Sequence, residues 1–270
     1  MEYRNDLELR IFHTKRGGGH AVINWLAHAS GRQAFHLNNV FGKTATLRWR
    51  GRRVFQRMLE GDGGVYGVEL PPETTWRELA DMHKEVLIYN IENMELPRVA
   101  GMPLLNGEAK RIIGESRERR TATILRDAFN TFASVRRGKK RWQRRLTTFY
   151  RRHWKIYARE FLGETHHLPA GTMHISYNEW FVSELYRRRL AESFGFDYTE
   201  KGLDEVPQYG GGSSFEGRAF QNRASAMDVL NRWRHYANDP IYREALDAET
   251  IDLSNRIFGD ITGGEIAPPG

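Results

Sequence analysis

The sequence predicts an α/β fold, in which a central, mainly parallel β-sheet carries helices on both faces, within a single domain spanning residues 1–270. Three observations lead to this prediction. Short apolar segments of strand length alternate with segments of helical apolar spacing, the order that produces parallel sheets. Hydrophobic residues make up 40% of the 270 residues, enough for a sizeable core. Neither an internal repeat nor a linker rich in Pro, Gly and Ser divides the chain.

The strands follow from two kinds of hydrophobic pattern. Residues 7–14 (LELRIFHT) alternate apolar and polar side chains, whereas residues 85–91 (EVLIYNI) form a dense apolar run typical of a strand buried on both faces. The other segments expected to be strands are 34–37, 121–125 and 172–177.

Helical spacing of apolar residues predicts the helices that cover the sheet. The aromatic and basic segment 142–162 is expected to be one long helix, and 179–194 an amphipathic helix that Gly195 can end. Further helices are predicted at 20–28, 74–84, 107–120, 130–137, 224–236 and 248–258, with a glycine-rich loop at 209–218. The strongly basic residues 43–57 favour neither structure.

Positive charge is concentrated in one segment. Residues 136–159 contain eleven Lys or Arg and no Asp or Glu, more than the net charge of +7 of the whole chain. Such a field attracts phosphate, sulfate, nucleic acid or an anionic membrane surface. The absence of cysteine excludes disulfides, thiolate metal sites and a cysteine nucleophile. No apolar run approaches the ~20 residues of a membrane span, and the charged N-terminus lacks a signal core, so we expect a cytoplasmic location.

The first candidate binding motif is residues 13–20 (HTKRGGGH), between a predicted strand and a predicted helix. Its glycines allow several backbone N–H groups to point at one anion, and the helix N-terminus adds partial positive charge. Lys15 and Arg16 would add full charge. The motif is not a Walker A loop, because its cations precede the glycines. A flexible glycine turn without function is the alternative.

The second candidate motif lies at the end of the strand predicted at 121–125. Arg126 and Ser134, eight residues later, could converge on one phosphate once a helix brings the hydroxyl back towards the guanidinium. The same pattern is equally compatible with Asp127 acting simply as a helix cap.

Together, in this order and each after a strand, the two motifs resemble those of the sulfotransferases that use 3′-phosphoadenosine 5′-phosphosulfate. In that family the first strand ends in a Lys/Arg-Ser-Gly-Thr-Thr-like loop that holds the 5′-phosphosulfate. A later strand ends in an Arg-Asp-Pro-like turn, with a serine eight residues beyond the arginine, and these hold the 3′-phosphate. Arg126, Asp127 and Ser134 match the second motif.

Residues 16–20 (RGGGH) match the first motif with departures. Gly17 replaces the serine, and Gly19 and His20 stand where hydroxyl residues are usual. Backbone N–H groups and the His20 side chain would have to compensate. Either Lys15 or Arg16 would be the catalytic cation that stabilises charge on the leaving oxygen.

The resemblance extends over most of the chain. Residues 175–179 (ISYNE), followed by a helix ending at 194–196 (FGF), are similar to the family's strand, Tyr-Glu-Asp-like turn and helix. Residues 210–218 (GGGSSFEGR) occupy the place of the late loop that closes over the 3′-phosphate. Residues 231–234 (NRWR) and 257–259 (IFG) are similar to the ends of bacterial members.

The resemblance implies a P-loop-NTPase-like sulfotransferase fold and a transferase that moves sulfonate from 3′-phosphoadenosine 5′-phosphosulfate to a hydroxyl or amine of a small-molecule or carbohydrate acceptor. No metal and no nucleic-acid partner is expected. The implied nucleotide-binding residues are Lys15, Arg16, Gly17, Gly18, Gly19, His20, Arg126, Ser134, Gly212, Ser213, Ser214 and Arg218.

The family's general base is a histidine or glutamate just past a central strand. Glu92, directly after the strand at 85–91, is the first choice here, with Glu95 and His20 in reserve. The implied catalytic residues are therefore Lys15, Arg16, His20 and Glu92. An ordinary solvated carboxylate is the alternative for Glu92. Structural roles within strands are expected for His13, His36 and His174.

Two other functions remain open on the sequence. A nucleotide-dependent phosphotransferase on the related P-loop fold would need a hydroxyl directly after the loop cation, which is missing. A nucleic-acid-binding protein could use the aromatic and basic residues of 136–159. The competing interpretation of that segment is an amphipathic helix with buried aromatic residues and solvated arginines.

Overall fold

Five parallel strands form the sheet in the order β2-β3-β1-β4-β5. The computed structural model describes residues 3–38, 78, 81–99, 113–138, 140–206 and 212–268. The strands are β1 (Asn5–His13), β2 (Ala34–Leu37), β3 (Lys84–Glu92), β4 (Ser116–Leu125) and β5 (Met173–Ser176). All five strands were predicted from the sequence, and the predicted parallel α/β class is confirmed.

Among the described residues, helices connect β1 to β2 and β4 to β5, and others follow β5. They are α1 (Gly19–Ala29), α2 (Ala128–Arg137), α3 (Lys140–Gln143), α4 (Arg151–Phe161), α5 (Tyr177–Val182), α6 (Glu184–Ser193), α7 (Pro240–Ala245) and α8 (Ala248–Phe258). A π-helical turn, Leu146–Tyr150, precedes α4, and 3-10 turns cover Leu96–Arg98, Ala224–Ala226 and Arg232–Tyr236. The helices predicted at 20–28, 130–137 and 248–258 correspond to α1, α2 and α8, whereas α7 was not predicted.

The sheet separates two hydrophobic layers. On one face, Ile11 of β1 packs in a cluster with Trp25 of α1. On the other face, Phe12 packs in a cluster with Phe129 of α2 and Trp154 of α4. Because both faces are covered, the residues of β3 from Val86 onwards are buried without alternation, apart from the last, as the apolar run in the sequence indicated.

The helix predicted at 107–120 is wrong over 116–120, which form the first half of β4. These residues pair with β1 in parallel register, and Arg119 lies opposite Glu8. The Arg119 Nε atom lies 3.0 Å from the buried Glu8 carboxylate. The ladder and this ion pair outweigh the helix propensity of a charged segment, a common tertiary override. Residues 107–112 lie outside the described ranges.

The single helix predicted at 142–162 is interrupted at 144–145, where the chain turns after α3, and is confirmed as helical from Leu146 to Phe161 through the π-helical turn and α4. The Gln143 side-chain amide donates to the carbonyls of Arg136 at 2.8 Å and Gly138 at 3.0 Å. These bonds close a turn in which Trp142 packs against the Arg16 guanidinium, 4.2 Å from the ring centroid.

The helix predicted at 179–194 is divided at Ser183 into α5 and α6. The Ser183 hydroxyl accepts a hydrogen bond from the Tyr186 backbone N–H at 3.1 Å and so caps α6. Gly195, with φ of 62°, follows α6 in the left-handed conformation expected of a residue that ends a helix.

The helix predicted at 224–236 is replaced by two 3-10 turns. Asn130 of α2 explains the difference, because its side chain binds the backbone of this segment. Its amide donates to the Leu230 carbonyl at 2.9 Å, and its oxygen accepts from the Trp233 N–H at 3.3 Å. These bonds attach the segment to α2 in place of helical bonds along the chain.

Some expectations fall on residues that the structure does not describe. They include 43–57, most of the helix predicted at 74–84, and 209–211 of the glycine-rich loop. The last residue of the predicted helix, Lys84, begins β3 instead, since its N–H bonds the Arg4 carbonyl at 2.8 Å. Within the described ranges, no helix combines the length and hydropathy needed to cross a membrane.

Candidate active site

The first loop connects the carboxyl end of β1 to the start of α1. Arg16 and Gly18 adopt left-handed conformations, with φ of 70° and 80°. The loop is held to the neighbouring strand by Asn93, whose side chain accepts from the Lys15 N–H at 2.9 Å and whose own N–H bonds the His13 carbonyl at 3.0 Å. The loop is thus anchored at the ends of two adjacent parallel strands.

A glycine is required at position 19 because of His13. A β-carbon at Gly19 would lie 2.6 Å from the His13 ring. The hydroxyl residue that the family pattern places there has no room, so His13 explains this departure. His13 itself is 1% exposed.

The second motif brings Arg126 and Ser134 together. The Arg126 Nη1 atom lies 3.4 Å from the Ser134 hydroxyl, because α2 begins at Ala128 and returns the serine towards the end of β4. Asp127 caps the same helix, accepting from the Asn130 N–H at 2.8 Å. The capping and the convergence of Arg126 and Ser134 therefore coexist.

Arg126 is a buried cation. It is 2% exposed, donates to the Val229 carbonyl, and lies 5.2 Å from the Tyr177 ring centroid. Burial lowers its pKa to about 10, since desolvation disfavours the charged form. The guanidinium still carries its charge at neutral pH.

Both motifs line one cavity of about 300 Å³. From the first loop come Lys15, Arg16, Gly18, Gly19 and His20, and from the second motif Arg126 and Ser134. Gly17 is buried and absent from the lining. The two motifs thus face the same space, as required if they bind one ligand.

The late loop contributes Gly212, Ser213 and Ser214 to this cavity. Arg218 is exposed and does not line it. The arginine that does so is Arg232, which is 6% exposed.

Arg232 ties the late loop to the cavity. Its Nη2 atom lies 2.7 Å from the Ser213 hydroxyl and 2.6 Å from the Glu216 carboxylate. The resemblance at residues 231–234 implies no role for Arg232. The pattern gave no sign that the chain would fold Arg232 back over α2.

A third set of residues lies where β1 and β3 end. Glu92 is opposite His13 in the parallel register. Its carboxylate lies 3.4 Å from Lys15 Nζ and 3.8 Å from His20 Nε2. Burial by itself would raise the pKa of Glu92, but His13, His20 and Lys15 outweigh it and hold the pKa below its ordinary value. Glu92, whose side chain is 9% exposed, is therefore a largely buried carboxylate on the cavity wall and not a solvated loop residue.

The histidines behind Glu92 form a buried chain. The His36 Nε2 atom lies 2.8 Å from the Asn90 side-chain oxygen, and the Asn90 amide nitrogen lies 2.9 Å from His13 Nε2. Desolvation lowers the pKa of His13 to about 4 and that of His36 to about 3. Both rings are thus neutral at physiological pH.

Ligand atoms of His13, His20 and Glu92 lie within 4.8 Å of one another, close enough to hold a metal ion. His13, however, already makes hydrogen bonds through both ring nitrogens, to Asn90 and to the Thr14 carbonyl. It would have to give up one of them to bind a metal.

Three arginines of the cavity wall retain bonding capacity. Arg16, Arg126 and Arg232 each have a buried Nε atom without a hydrogen-bond partner among the described residues. A buried donor without a partner is costly, so these positions suit a ligand with several acceptor oxygens. The rest of the wall is largely apolar, with Trp180, Phe181, Leu203, Val206 and Met227. The arrangement can bind a molecule that carries separate anionic groups and an apolar ring.

No protein-family model and no curated protein matches the chain. Among solved structures, it is similar to the sulfotransferase domain of the olefin synthase from Synechococcus PCC 7002. The TM-score is 0.54 at 14% sequence identity, and the match covers 96% of this chain and 97% of that one. At such identity a match concerns the fold. Over nearly its whole length, this chain has the fold of a sulfotransferase domain.

Proposed function

We propose that this protein is a sulfotransferase that moves a sulfonate group from 3′-phosphoadenosine 5′-phosphosulfate to a hydroxyl or amine of a small-molecule or carbohydrate acceptor. One observation carries the proposal: the first loop and the Arg126–Ser134 pair line the same cavity of about 300 Å³. Two anion sites on one cavity suit a nucleotide with charged groups at both ends. The fold shared with a sulfotransferase domain supports the same conclusion.

The 3′-phosphate would lie at Arg126, where the unpartnered Nε atom and the Ser134 hydroxyl can both donate to it. Arg232 would add a second charge from the late loop, with Ser213 and Ser214 beside it. The role of Arg218 in closing over this phosphate stays a prediction. Arginine suits the task because its planar fork matches phosphate oxygens.

The 5′-phosphosulfate would lie at the first loop, against the backbone of residues 17–19 and the N-terminus of α1. In the transfer, the acceptor oxygen forms a bond to sulfur while the bond from sulfur to the bridging phosphate oxygen breaks. Lys15 and Arg16 would stabilise the charge that develops on that leaving oxygen. The apolar wall around Trp180 would pack against the adenine.

Glu92 would accept the proton of the attacking hydroxyl. It lies in the same cavity as the first loop, and its lowered pKa keeps it ionised at neutral pH. The Lys15 ammonium beside it, at 3.4 Å, favours the charged form before transfer. His20, whose ring bonds Asn38 at 2.8 Å, would hold the acceptor side of the site in place.

The phosphotransferase alternative is less well supported, because Gly17 follows the loop cation where that chemistry needs a hydroxyl for magnesium. The nucleic-acid alternative would use arginines on α4. Several of these are engaged by carboxylates, as for Arg152 with Glu95 at 3.0 Å.

The proposal is tested by comparing two nucleotides at equal concentration. We expect adenosine 3′,5′-bisphosphate to raise the melting temperature more than AMP does, because the latter lacks the 3′-phosphate. A ligand at 100 times its Kd stabilises the folded state by about 2.7 kcal/mol. Equal shifts with the two nucleotides would contradict the proposal. Transfer of radiolabelled sulfonate from the donor to a panel of hydroxyl and amine acceptors then tests the reaction.

A further inference from the structure

The basic segment 136–159 divides into two parts with different charge balance. In the part on α4, carboxylates compensate the cations. Arg151 lies 3.4 Å from Asp247, and Lys155 lies 2.5 Å from Glu249. Arg159 also pairs with Glu249. This part of the segment is largely neutralised within the fold.

The other part is not compensated. From the last residue of α2 to the π-helical turn, five described cations are exposed, and none forms an ion pair with a carboxylate in the described part of the chain. We call these residues the cationic patch: Arg137, Lys140, Arg141, Arg144 and Arg145. Arg136, just before it, pairs with Asp239 at 2.7 Å and is therefore excluded from the patch.

The cationic patch is continuous with the cavity through Trp142. Trp142 belongs to the same turn and lines the cavity. Three cations surround its ring, at centroid distances of 4.2 Å for Arg16, 5.1 Å for Lys15 and 5.8 Å for Arg141. Positive charge therefore runs without a break from the first loop to the exposed turn.

Two contacts tie the described residues of this turn to the end of α2. The Gln143 amide bonds two carbonyls, as described above. Gly138 packs so closely on Trp142 that a β-carbon there would lie 2.5 Å from the indole. Contacts of this kind restrict the backbone that carries the cations, and such preorganisation reduces the entropy lost on binding.

We infer that the cationic patch binds the acceptor, and that the acceptor is an acidic oligosaccharide whose sugars carry carboxylate or sulfate groups. This inference rests on the proposed function and names the substrate class of the same site. The patch lies beside the end of the cavity that holds Lys15 and Glu92, where the acceptor hydroxyl must react.

Two arguments favour this class of acceptor. Five exposed cations within nine residues are more than a single anionic group can engage, so a ligand with repeated charges matches them better. The proposed reaction also requires a hydroxyl or amine near Glu92. An acidic oligosaccharide combines repeated charges with many hydroxyls, whereas a DNA strand has charges but no hydroxyl along its length.

The test measures binding by calorimetry on the full chain saturated with adenosine 3′,5′-bisphosphate, so that the nucleotide part of the cavity is filled. The probes are a heparin-derived hexasaccharide, uncharged maltohexaose and a six-residue single-stranded oligodeoxynucleotide. We expect the heparin hexasaccharide to bind at least tenfold more tightly than either of the other two. Its affinity should fall as salt rises, as for other charge-driven binding.

Two triple variants with the same loss of charge locate the site. Arg141→Ala/Arg144→Ala/Arg145→Ala should weaken binding of the heparin hexasaccharide at least tenfold. Arg32→Ala/Arg117→Ala/Arg189→Ala, at exposed positions away from the cavity lining, should change it less than twofold. Equal effects of the two variants, or equal binding of hexasaccharide and oligodeoxynucleotide, would overturn the inference. A melting curve for each variant without ligand shows that it is folded.

Failure of this inference can be told apart from failure of the proposed function. If adenosine 3′,5′-bisphosphate stabilises the protein no better than AMP, the sulfotransferase proposal fails, whether or not the heparin hexasaccharide binds. If the nucleotide preference is present but hexasaccharide binding does not depend on the cationic patch, only the acceptor assignment is wrong.

Discussion

Gly18 lies directly against the ring of Tyr177, so that a β-carbon at position 18 would come within 2.8 Å of three ring carbons. The same Tyr177 ring lies 5.2 Å from the Arg126 guanidinium. One aromatic side chain from the start of α5 thus separates and contacts both anion-binding motifs. This contact couples the shape of the first loop to the position of the second motif.

Gly18→Ala should therefore cost far more stability than Gly31→Ala. Both glycines have positive φ, 80° and 61°, but nothing lies within 4 Å of a β-carbon at Gly31. The left-handed conformation costs about 1–2 kcal/mol in each variant. Overpacking against Tyr177 adds about 1–3 kcal/mol only in Gly18→Ala. Urea denaturation measures the free energy of unfolding of both variants. Equal losses of stability would show that the Tyr177 ring moves aside at little cost.

Arg232→Gln should weaken binding of adenosine 3′,5′-bisphosphate at least tenfold and leave AMP binding less affected. Loss of a hydrogen bond to a charged group costs about 1.5–3 kcal/mol, which supports this magnitude. Arg218→Ala is the matched variant from the same loop region, and it should stay within twofold because Arg218 is exposed outside the cavity lining. Calorimetry with both nucleotides gives the ratio. The opposite result would assign the 3′-phosphate contact to Arg218.

Glu92→Gln should lower the rate of sulfonate transfer about 10²- to 10⁴-fold, the usual effect of losing a general base. Binding of adenosine 3′,5′-bisphosphate should be retained, because the amide keeps the shape of the side chain. Glu95→Gln is the control, since Glu95 pairs with Arg98 and Arg152 and does not line the cavity. A full loss of activity in Glu95→Gln alone would identify Glu95 as the base instead.

The pH dependence of the rate gives an independent check on Glu92. Its pKa is held below the ordinary 4.5, so protonation should reduce the rate only in more acidic solution. An ordinary histidine base would instead produce a decline near pH 6.5. If the observed decline disappears in His20→Gln and not in Glu92→Gln, His20 is favoured as the base.

The buried histidines should make the fold sensitive to acid. The pKa of His36 is lowered by burial to about 3, whereas an unfolded histidine has a pKa near 6.5. Between these values the unfolded state binds a proton that the folded state does not, so stability is full above pH 6.5 and falls as the pH drops. His36→Gln should reduce the stability lost from pH 7 to pH 5 by about 2 kcal/mol, at about 1.4 kcal/mol per pH unit.

The control for this effect is His83→Gln, because the His83 side chain is 57% exposed. Urea denaturation at both pH values compares the two variants with the parent chain. If His36→Gln lost as much stability on acidification as His83→Gln, His36 would not be a neutral buried group.

Features that depend on neighbours along the chain were predictable. The convergence of Arg126 and Ser134 requires only a strand that ends before α2 and two turns of that helix, so the eight-residue spacing indicated it. The first loop was also predictable, because its glycines and cations are neighbours along the chain. Segment 116–120, by contrast, depends on a distant part of the chain. Its charged residues indicated a helix, but pairing with β1 produced a strand.

The sequence alone determined the parallel α/β class, because local hydrophobic patterns indicate all five strands and the helices α1, α2 and α8. Only the tertiary structure decided that Arg232, about a hundred residues beyond Arg126, faces the same cavity, and that Trp142 turns back onto Arg16. Such contacts depend on side chains that bind distant backbone, as Asn130 and Gln143 do. The spacing of residues along the sequence does not indicate these contacts, because the bonds form only after the sheet has brought remote segments together.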